Sequence, residues 1–281
     1  MAGGGPYRAR RAGLPTARNS CESMGMASDP PVPVLTALVT GGAQRIGRAI
    51  VLALVRRGYA VAVHTHRSVA AAKELSAGIA AAGGAAAVVG GDLTDHAAVL
   101  DLVPAAAAAV GPLTLLVNNA SVFEPDDVGT LDRARFDRHY AVNLRAPVFL
   151  AEAFAAQAPA AADASIVNLL DQRVYKPTPH YLSYGLAKSA LLAATTTLAQ
   201  ALAPRVRVNA VAPGPALPNS RQDAEAFARV CRAVPLGHGP TPEEIADAVL
   251  FLAAARSITG QTIAVDGGQR LGWAADAADN E

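Results

Sequence analysis

The sequence has little cysteine, no long apolar run and no long basic run, and each absence removes a class of protein. Its two cysteines, Cys21 and Cys231, are too few for a disulfide framework, so we expect a reducing, cytoplasmic location. No apolar run of about 18 residues is free of polar residues, which predicts no membrane span. A formal net charge of +1 gives no sign of a nucleic-acid partner. The six histidines show no paired ligand spacing, so no metal site is predicted.

Residues 1–33 differ in composition from the rest of the chain. Glycine, proline and alanine surround arginines there, and the continuous apolar stretch of a secretory signal is missing. We predict a disordered extension, or a true start at Met24 or Met26, with an arginine-rich transit peptide as the alternative. Residues 34–272 have the length and the apolar content for one large domain. Residues 273–281 are predicted to form a tail.

Seven short apolar runs predict β-strands that are buried on both faces, as in a parallel sheet. These runs are Leu35–Thr40, Ala60–Thr65, Ala85–Val89, Leu113–Asn118, Ser165–Leu169, Val206–Val211 and Thr262–Val265. The longer stretches between them predict helices at Arg45–Arg57, Val69–Ala82, Asp95–Ala109, Leu131–Ala158, Leu182–Ala203 and Pro242–Ala255. This alternation predicts an α/β fold: one Rossmann-like, doubly wound parallel sheet of about seven strands with helices on both faces.

The segment Pro213–Pro240 interrupts this alternation. It is rich in proline and glycine and contains one short helical pattern, Gln222–Val234. A long irregular insertion in a compact domain is more often functional than a simple linker, so we predict a substrate lid at about residues 213–240.

A glycine-rich turn, Thr40–Gly47, follows the first predicted strand and opens a helix. Glycines let the backbone approach a pyrophosphate, and a helix N-terminus favours negative charge. No acidic residue lies between Gly47 and Glu74 to bind the ribose hydroxyls of NAD; His66-Arg67-Ser68 ends the second strand instead. An arginine and a hydroxyl suit the 2′-phosphate of NADP. The alternative interpretation is a solvated turn in which the arginine has no ligand.

Polar residues also follow the third and fourth predicted strands. Asp92, in Gly91–Thr94, can accept a hydrogen bond from the adenine amine or can simply cap a helix. The small residues of Asn118–Ser121 can border the ribose at the carboxyl edge of the sheet. Each signal is weak alone, and their order along the chain strengthens the prediction of a dinucleotide site.

Tyr184 and Lys188 are one helical turn apart and share a face. A neighbouring ammonium stabilises phenolate and is expected to lower the pKa of Tyr184 toward working pH, which gives a proton donor for carbonyl or imine reduction. Such a pair is also common on ordinary amphipathic helices. Asp171 lies thirteen residues before Tyr184, and Asn143 lies inside the predicted long helix, where it can interrupt the ladder and hold a water.

From about Val34 to Gly268 the chain resembles the short-chain dehydrogenase/reductase family. The matching pieces are Thr40–Gly47, Asp92, Asn118–Ala120, Asn143, Tyr184 with Lys188, Pro213-Gly214, and the run from Ile258 to Gly268. The resemblance implies that Asn143, Tyr184 and Lys188 are catalytic, that Lys188 also holds the nicotinamide ribose, and that Pro213-Gly214 lie beside the nicotinamide. Family members are commonly tetramers joined through helices that correspond to Leu131–Ala158 and Leu182–Ala203, so a homotetramer is expected.

Two residues depart from the usual family pattern: Arg45 stands where glycine is usual, and Asp171 where the catalytic serine is usual. Pteridine reductases, a branch of the family, share both, and the runs His66–Ser68 and Asn119–Phe123 resemble that branch. In that branch the residue matching Phe123 stacks on the pterin, and the arginine matching Arg45 contacts cofactor phosphate and pterin. Read without the resemblance, Phe123 is core packing, Arg45 a surface helix residue and Asp171 a loop cap.

The predicted site follows from these observations. The catalytic residues are Asp171, Tyr184, Lys188 and Asn143. The residues expected to bind NADPH are Gly41, Arg45, Ile46, Gly47, His66, Arg67, Ser68, Asp92, Leu93, Asn119, Ala120, Ser121, Tyr184, Lys188, Pro213 and Gly214. The residues expected to bind substrate are Arg45, Ser121, Phe123, Asp171 and Tyr184, with Glu124, Tyr175, His180 and Tyr181 as pocket rim.

A pterin C=N bond fits these residues, because its nitrogen must gain a proton as its carbon gains hydride. Asp171 can supply or relay that proton if burial raises its pKa, or bind the amino-pyrimidine edge if it is ionised. Phe123 offers a flat apolar surface for a flat ring. Two alternatives stay open: a reductase of another carbonyl or imine, and a non-catalytic NADPH-binding sensor, against which the intact Asn143, Tyr184 and Lys188 argue.

Overall fold

A computed structural model of the chain describes residues 35–160, 162–218 and 221–272. The predicted N-terminal extension and C-terminal tail lie outside these residues. Within them, no helix is both long enough and apolar enough to cross a membrane.

Seven parallel strands form one sheet in the order β3-β2-β1-β4-β5-β6-β7. The strands are β1 Thr36–Val39, β2 Ala60–Thr65, β3 Ala86–Gly90, β4 Leu115–Asn118, β5 Ala164–Leu169, β6 Val206–Pro213 and β7 Thr262–Val265. The order reverses direction between β1 and β4, which opens a crevice at the carboxyl edge where α/β proteins of this type bind ligands. The predicted doubly wound fold is confirmed.

The described part of the chain contains eight α-helices, six of which cover the faces of the sheet. They are α1 Arg45–Arg56, α2 Val69–Ala81, α3 His96–Val110, α4 Arg133–Tyr140, α5 Ala146–Gln157, α6 Leu182–Leu202, α7 Ala224–Arg232 and α8 Pro242–Ala254. Short 3-10 turns span Gln172–Val174 and Gln269–Leu271. The helix start predicted at α8 is a full capping box, because Thr241 accepts from the Glu244 N–H and the Glu244 carboxylate accepts from the Thr241 N–H.

The helix predicted over Leu131–Ala158 is divided at Asn143, the residue expected to interrupt its hydrogen-bond ladder. A π-helical turn, Ala141–Arg145, separates α4 from α5. Such a turn accommodates one extra residue and often marks a functional site. Asn143 lies in it and makes tertiary hydrogen bonds to the loop after β4.

The core has two layers, one on each side of the sheet. Side chains of α1, α2 and α8 pack on one face, and side chains of α3, α5 and α6 pack on the other. Because both faces of the central strands are covered, every residue of β1, β4 and β5 is buried. The loops at the carboxyl edge are thereby held on a rigid base.

Candidate active site

The turn between β1 and α1 requires glycine at defined positions. Gly41 has a φ of +62°, and a Cβ at Gly47 would lie 2.2 Å from the Gly41 carbonyl oxygen. A side chain at Gly47 would therefore displace the turn. The Gly41 N–H donates to Nδ1 of the buried His64 (3.2 Å), while the Asn119 amide donates to the Thr40 carbonyl (2.8 Å). His64 was not among the predicted site residues, because it lies in a strand and its partner, Gly41, is distant in the sequence.

Arg45 begins α1 with a φ of +53°, a left-handed conformation that fits the glycine usual at this place in the family. Its guanidinium donates to the Pro218 carbonyl (2.9 Å), in the predicted lid. Arg45 therefore joins the glycine turn to the segment that is predicted as a lid, and its contact with phosphate or pterin stays a prediction. Ile46 and Gly47 follow it in the first turn of α1.

The carboxyl ends of β2 and β3 lie side by side. His66 and Asp92 are 3.7 Å apart and both half-exposed, and Ser68 donates to Gln44 (3.2 Å). The Thr94 N–H donates to Asp92, and this bond is the main cause of the lowered pKa of Asp92, to which the charges of His66 and Arg67 also contribute. The Leu93 side chain is buried in the core, so its backbone alone faces the edge.

Asn119, Ala120 and Ser121 continue from β4 along the same edge. The Thr40 hydroxyl oxygen accepts from the Asn119 and Ala120 N–H groups (2.9 and 3.0 Å). On the far side of the crevice the Gly214 N–H donates to the Val265 carbonyl (2.9 Å). A Cβ at Gly214 would lie 2.6 Å from the Asp266 Cα, so glycine is needed next to Pro213, the last residue of β6.

Asp171 lies two residues beyond β5 and accepts hydrogen bonds from three donors. The Tyr184 hydroxyl donates to Oδ2 (2.9 Å), the Arg173 N–H donates to Oδ1 (2.8 Å), and the Arg173 guanidinium lies 3.2 Å from Oδ2. A carboxylate accepts all three, whereas a carboxylic acid must donate a proton itself. The carboxyl group of Asp171 therefore serves as the acceptor at the centre of the site. Arg173 was missed at the sequence level, although it lies only two residues away.

The expected effect of Lys188 on Tyr184 is corrected by the structure. Burial, with the charge and hydrogen bond of Asp171, raises the pKa of Tyr184 well above 10. The Lys188 ammonium donates to the Leu169 carbonyl (2.6 Å) and lies 5.8 Å from the tyrosine ring centroid. Burial also lowers the pKa of Lys188, to about 8. Tyr184 is thus a protonated phenol that holds its proton toward Asp171.

Asn143 is fully buried and fixes the loop that carries Phe123. Its side-chain oxygen accepts from the Val122 N–H and the Ser121 hydroxyl, both at 3.0 Å, and its amide donates to the Val122 carbonyl (2.9 Å). These bonds use the side chain to hold the loop, so a water held by Asn143 stays a prediction.

Aromatic rings form the surface next to Asp171 and Tyr184. Phe123 stacks on Tyr181, with centroids 4.3 Å apart, and meets Tyr184 edge-on at 4.7 Å. The guanidinium carbons of Arg173 and Arg221 lie 5.3 and 5.6 Å from the Phe123 centroid. Tyr181, predicted as pocket rim, is therefore part of this surface, whereas Arg221 was not predicted.

The other predicted rim residues make outer contacts. Glu124 pairs with Arg138 (3.1 Å), and His180 pairs with Asp127 (3.1 Å). Tyr175 packs under the Arg270 guanidinium. In the described residues no group of three His, Cys, Asp or Glu side chains is placed to hold a metal.

Comparisons with known proteins show the family of the chain. A short-chain dehydrogenase model described as enoyl-(acyl carrier protein) reductase matches residues 41–270. The crystal structure of FolM alternative dihydrofolate reductase 1 from Brucella canis, complexed with NADP, is 50% identical with a TM-score of 0.83, and the match covers 85% of this chain and 95% of that one.

Two further relatives are more distant. Pteridine reductase 1 of Leishmania tarentolae is 35% identical over 88% of this chain and 99% of its own length. A blue fluorescent protein from a metagenomic library, crystallised with NADPH, is 32% identical with a TM-score of 0.78, over 84% of this chain and 97% of that one. The chain is an oxidoreductase that belongs to the short-chain dehydrogenase/reductase family, on its pteridine reductase-like branch.

Proposed function

We propose that the protein is an NADPH-dependent reductase that adds hydride to a C=N bond of a dihydropterin or a dihydrofolate-like substrate. The observation that carries this proposal is the arrangement of Asp171: its carboxylate holds the Tyr184 phenol at 2.9 Å, and that phenol's ring lies 4.7 Å from Phe123. One acceptor, one proton donor and one flat apolar ring thus lie together.

The residues at the carboxyl edge fit a dinucleotide. Gly41 and Gly47 pack closely against the backbone of Ala120 and Gly41, which sets the turn at the N-terminus of α1, and a helix N-terminus favours a pyrophosphate. The exposed Arg67, near Asp92, suits a 2′-phosphate, and Lys188 with Tyr184 would hold the nicotinamide ribose next to Pro213 and Gly214. When bound, NADPH supplies the hydride. Relatives at 50% and 32% identity were crystallised with NADP and NADPH, respectively, which supports this choice of cofactor.

A pterin complements the remaining groups. Its amino-pyrimidine edge presents N–H donors, which a carboxylate such as Asp171 binds in pairs. Its flat ring can lie on Phe123. Tyr184 Oη carries the proton that the ring nitrogen must gain. The ammonium of Lys188, with its pKa of about 8, lies 5.8 Å from the Tyr184 ring centroid, where its charge would stabilise the phenolate that remains.

The test is oxidation of NADPH by the purified protein with a panel of dihydropterins and dihydrofolate. Asp171→Ser, which restores the residue usual in the family, is expected to lower kcat/KM for the pterin at least about 100-fold. NADPH affinity should change little, since Asp171 contacts Tyr184 and Arg173 instead of the glycine turn.

Turnover of ketones or other imines with none of any pterin would contradict the proposal. A variant Asp171→Ser that kept full pterin turnover would contradict the role of the carboxylate. Tyr184→Phe serves as the control for chemistry, because it removes the proton and keeps the ring.

A further inference from the structure

Three buried side chains form a hydrogen-bonded chain behind the aromatic surface. They are His139 on α4, Ser183 in the first turn of α6, and Asp126 in the loop after Phe123, and at most 2% of any of them is exposed. His139 Nδ1 bonds to the Ser183 hydroxyl, and that hydroxyl donates to Asp126 Oδ2. None of the three belongs to the site described above.

The backbone fixes the direction of this chain. The Glu124 N–H donates to Nε2 of His139 (3.1 Å), so Nε2 carries no proton. A neutral ring then has its proton on Nδ1 and donates it to Ser183, whose own proton goes to Asp126. Burial lowers the pKa of His139, which keeps the ring neutral.

The chain joins the loop of Phe123 to the start of α6. Asp126 accepts from the Ser183 N–H (3.1 Å) with its side chain and from the Leu182 N–H (2.9 Å) with its carbonyl, so it caps the helix from a distant part of the sequence. His139 holds Glu124, the neighbour of Phe123, and Ser183 is the neighbour of Tyr184. The hydrogen bonds of these three residues therefore connect the backbone next to Phe123 with the backbone next to Tyr184.

We propose that His139, acting through Ser183 and Asp126, is a positioning residue that sets the Phe123 ring against Tyr184 for substrate binding. This inference rests on the proposed function for the identity of the substrate. The network does not touch the glycine turn. Of the residues expected to hold the dinucleotide it meets only Tyr184, which follows Ser183 in the chain and whose ring centroid lies 6.2 Å from that of His139. Its effect is thus on binding of the pterin, more than on the cofactor or the chemical step.

Two variants distinguish the hydrogen bond that His139 makes with the Glu124 N–H from the one that it makes with Ser183. His139→Leu removes both, whereas His139→Gln keeps an acceptor near the place of Nε2 and can still bind the Glu124 N–H. We expect His139→Leu to raise KM for the dihydropterin about tenfold, with a smaller change in kcat and an unchanged Kd for NADPH, and His139→Gln to recover part of the loss. His96→Gln is the matched control, because His96 is exposed at the start of α3, where its ring contacts Phe149; the KM of this variant should stay at the wild-type value.

An unchanged KM in folded His139→Leu would overturn the proposal, as would equal increases in pterin KM and NADPH Kd, which indicate general loosening. If His139→Leu does not fold, Ser183→Ala replaces it with the same expectation. A substrate-free measurement is the ring nitrogen spectrum of the ¹⁵N-labelled wild-type protein: we expect His139 to be protonated on Nδ1, and protonation on Nε2 would overturn the network. If no pterin is turned over, the proposed function is contradicted. The spectrum still tests the hydrogen-bond network, because it shows which ring nitrogen of His139 carries the proton.

Discussion

At the scale of single residues, the site depends on polar groups that are bound by other side chains of the site or by the backbone of the sheet. Asp171 binds Tyr184 and Arg173, and Lys188 binds the backbone of β5. The pKa of Tyr184 is raised where residue spacing alone predicted a lowered value, because spacing shows the ammonium but not the burial or the carboxylate. Burying such charged groups lowers the stability of the fold, while their hydrogen bonds fix the positions of the side chains in the site.

Lys188 gives a prediction on stability. Its pKa is lowered from 10.5 to about 8, so the unfolded chain binds more protons than the native one between these values, and wild-type stability should rise with pH across that window. From pH 8 to 10.5, the unfolding free energy of wild type should increase by about 3 kcal/mol relative to that of Lys188→Met, which lacks the titrating group. Urea titrations at several pH values measure it, and parallel curves for the two proteins would contradict the lowered pKa.

At the scale of elements, the carboxyl edge of the sheet brings the predicted pieces together. The glycine turn after β1, the polar ends of β2 and β4 and the 3-10 turn after β5 follow strands that are largely buried, and the polar end of β3 lies beside that of β2. The π-helical turn and the cap of α6 by Asp126 add two connections between distant segments. Both of them hold the loop that carries Phe123.

The glycine turn gives the second prediction. Gly47→Ala should weaken NADPH binding at least about tenfold, because its Cβ would lie 2.2 Å from the Gly41 carbonyl oxygen and must displace the turn. Gly78→Ala is the matched control, since it lies on the exposed side of α2 with nothing within 4 Å of the new Cβ. It should keep NADPH affinity and raise stability by about 0.5–1 kcal/mol. Isothermal calorimetry and thermal unfolding measure the two effects, and wild-type affinity in Gly47→Ala would contradict the account of the turn.

At the scale of the whole molecule, the sequence predicted the fold well because its signals are local. Uniformly apolar strands, the alternation with helices and the Thr241–Glu244 cap each depend on neighbouring residues. The glycine turn, Asp171 and Tyr184 were also found, since motif spacing marks them. The roles of His64, His139 and Arg221, and the contact of Arg173 with Phe123, depend on residues distant in the sequence, which no local pattern contains.

The central claim is that Asp171, Tyr184 and Phe123 together receive a flat nitrogen heterocycle beside the nicotinamide. A crystal structure of the protein with NADP and a pterin that cannot be reduced tests this most directly. The account predicts that the amino-pyrimidine edge lies within hydrogen-bond distance of the Asp171 carboxylate, with the ring on Phe123 and a ring nitrogen facing Tyr184 Oη. A pterin bound elsewhere, or one whose amino edge turns away from Asp171, would contradict it.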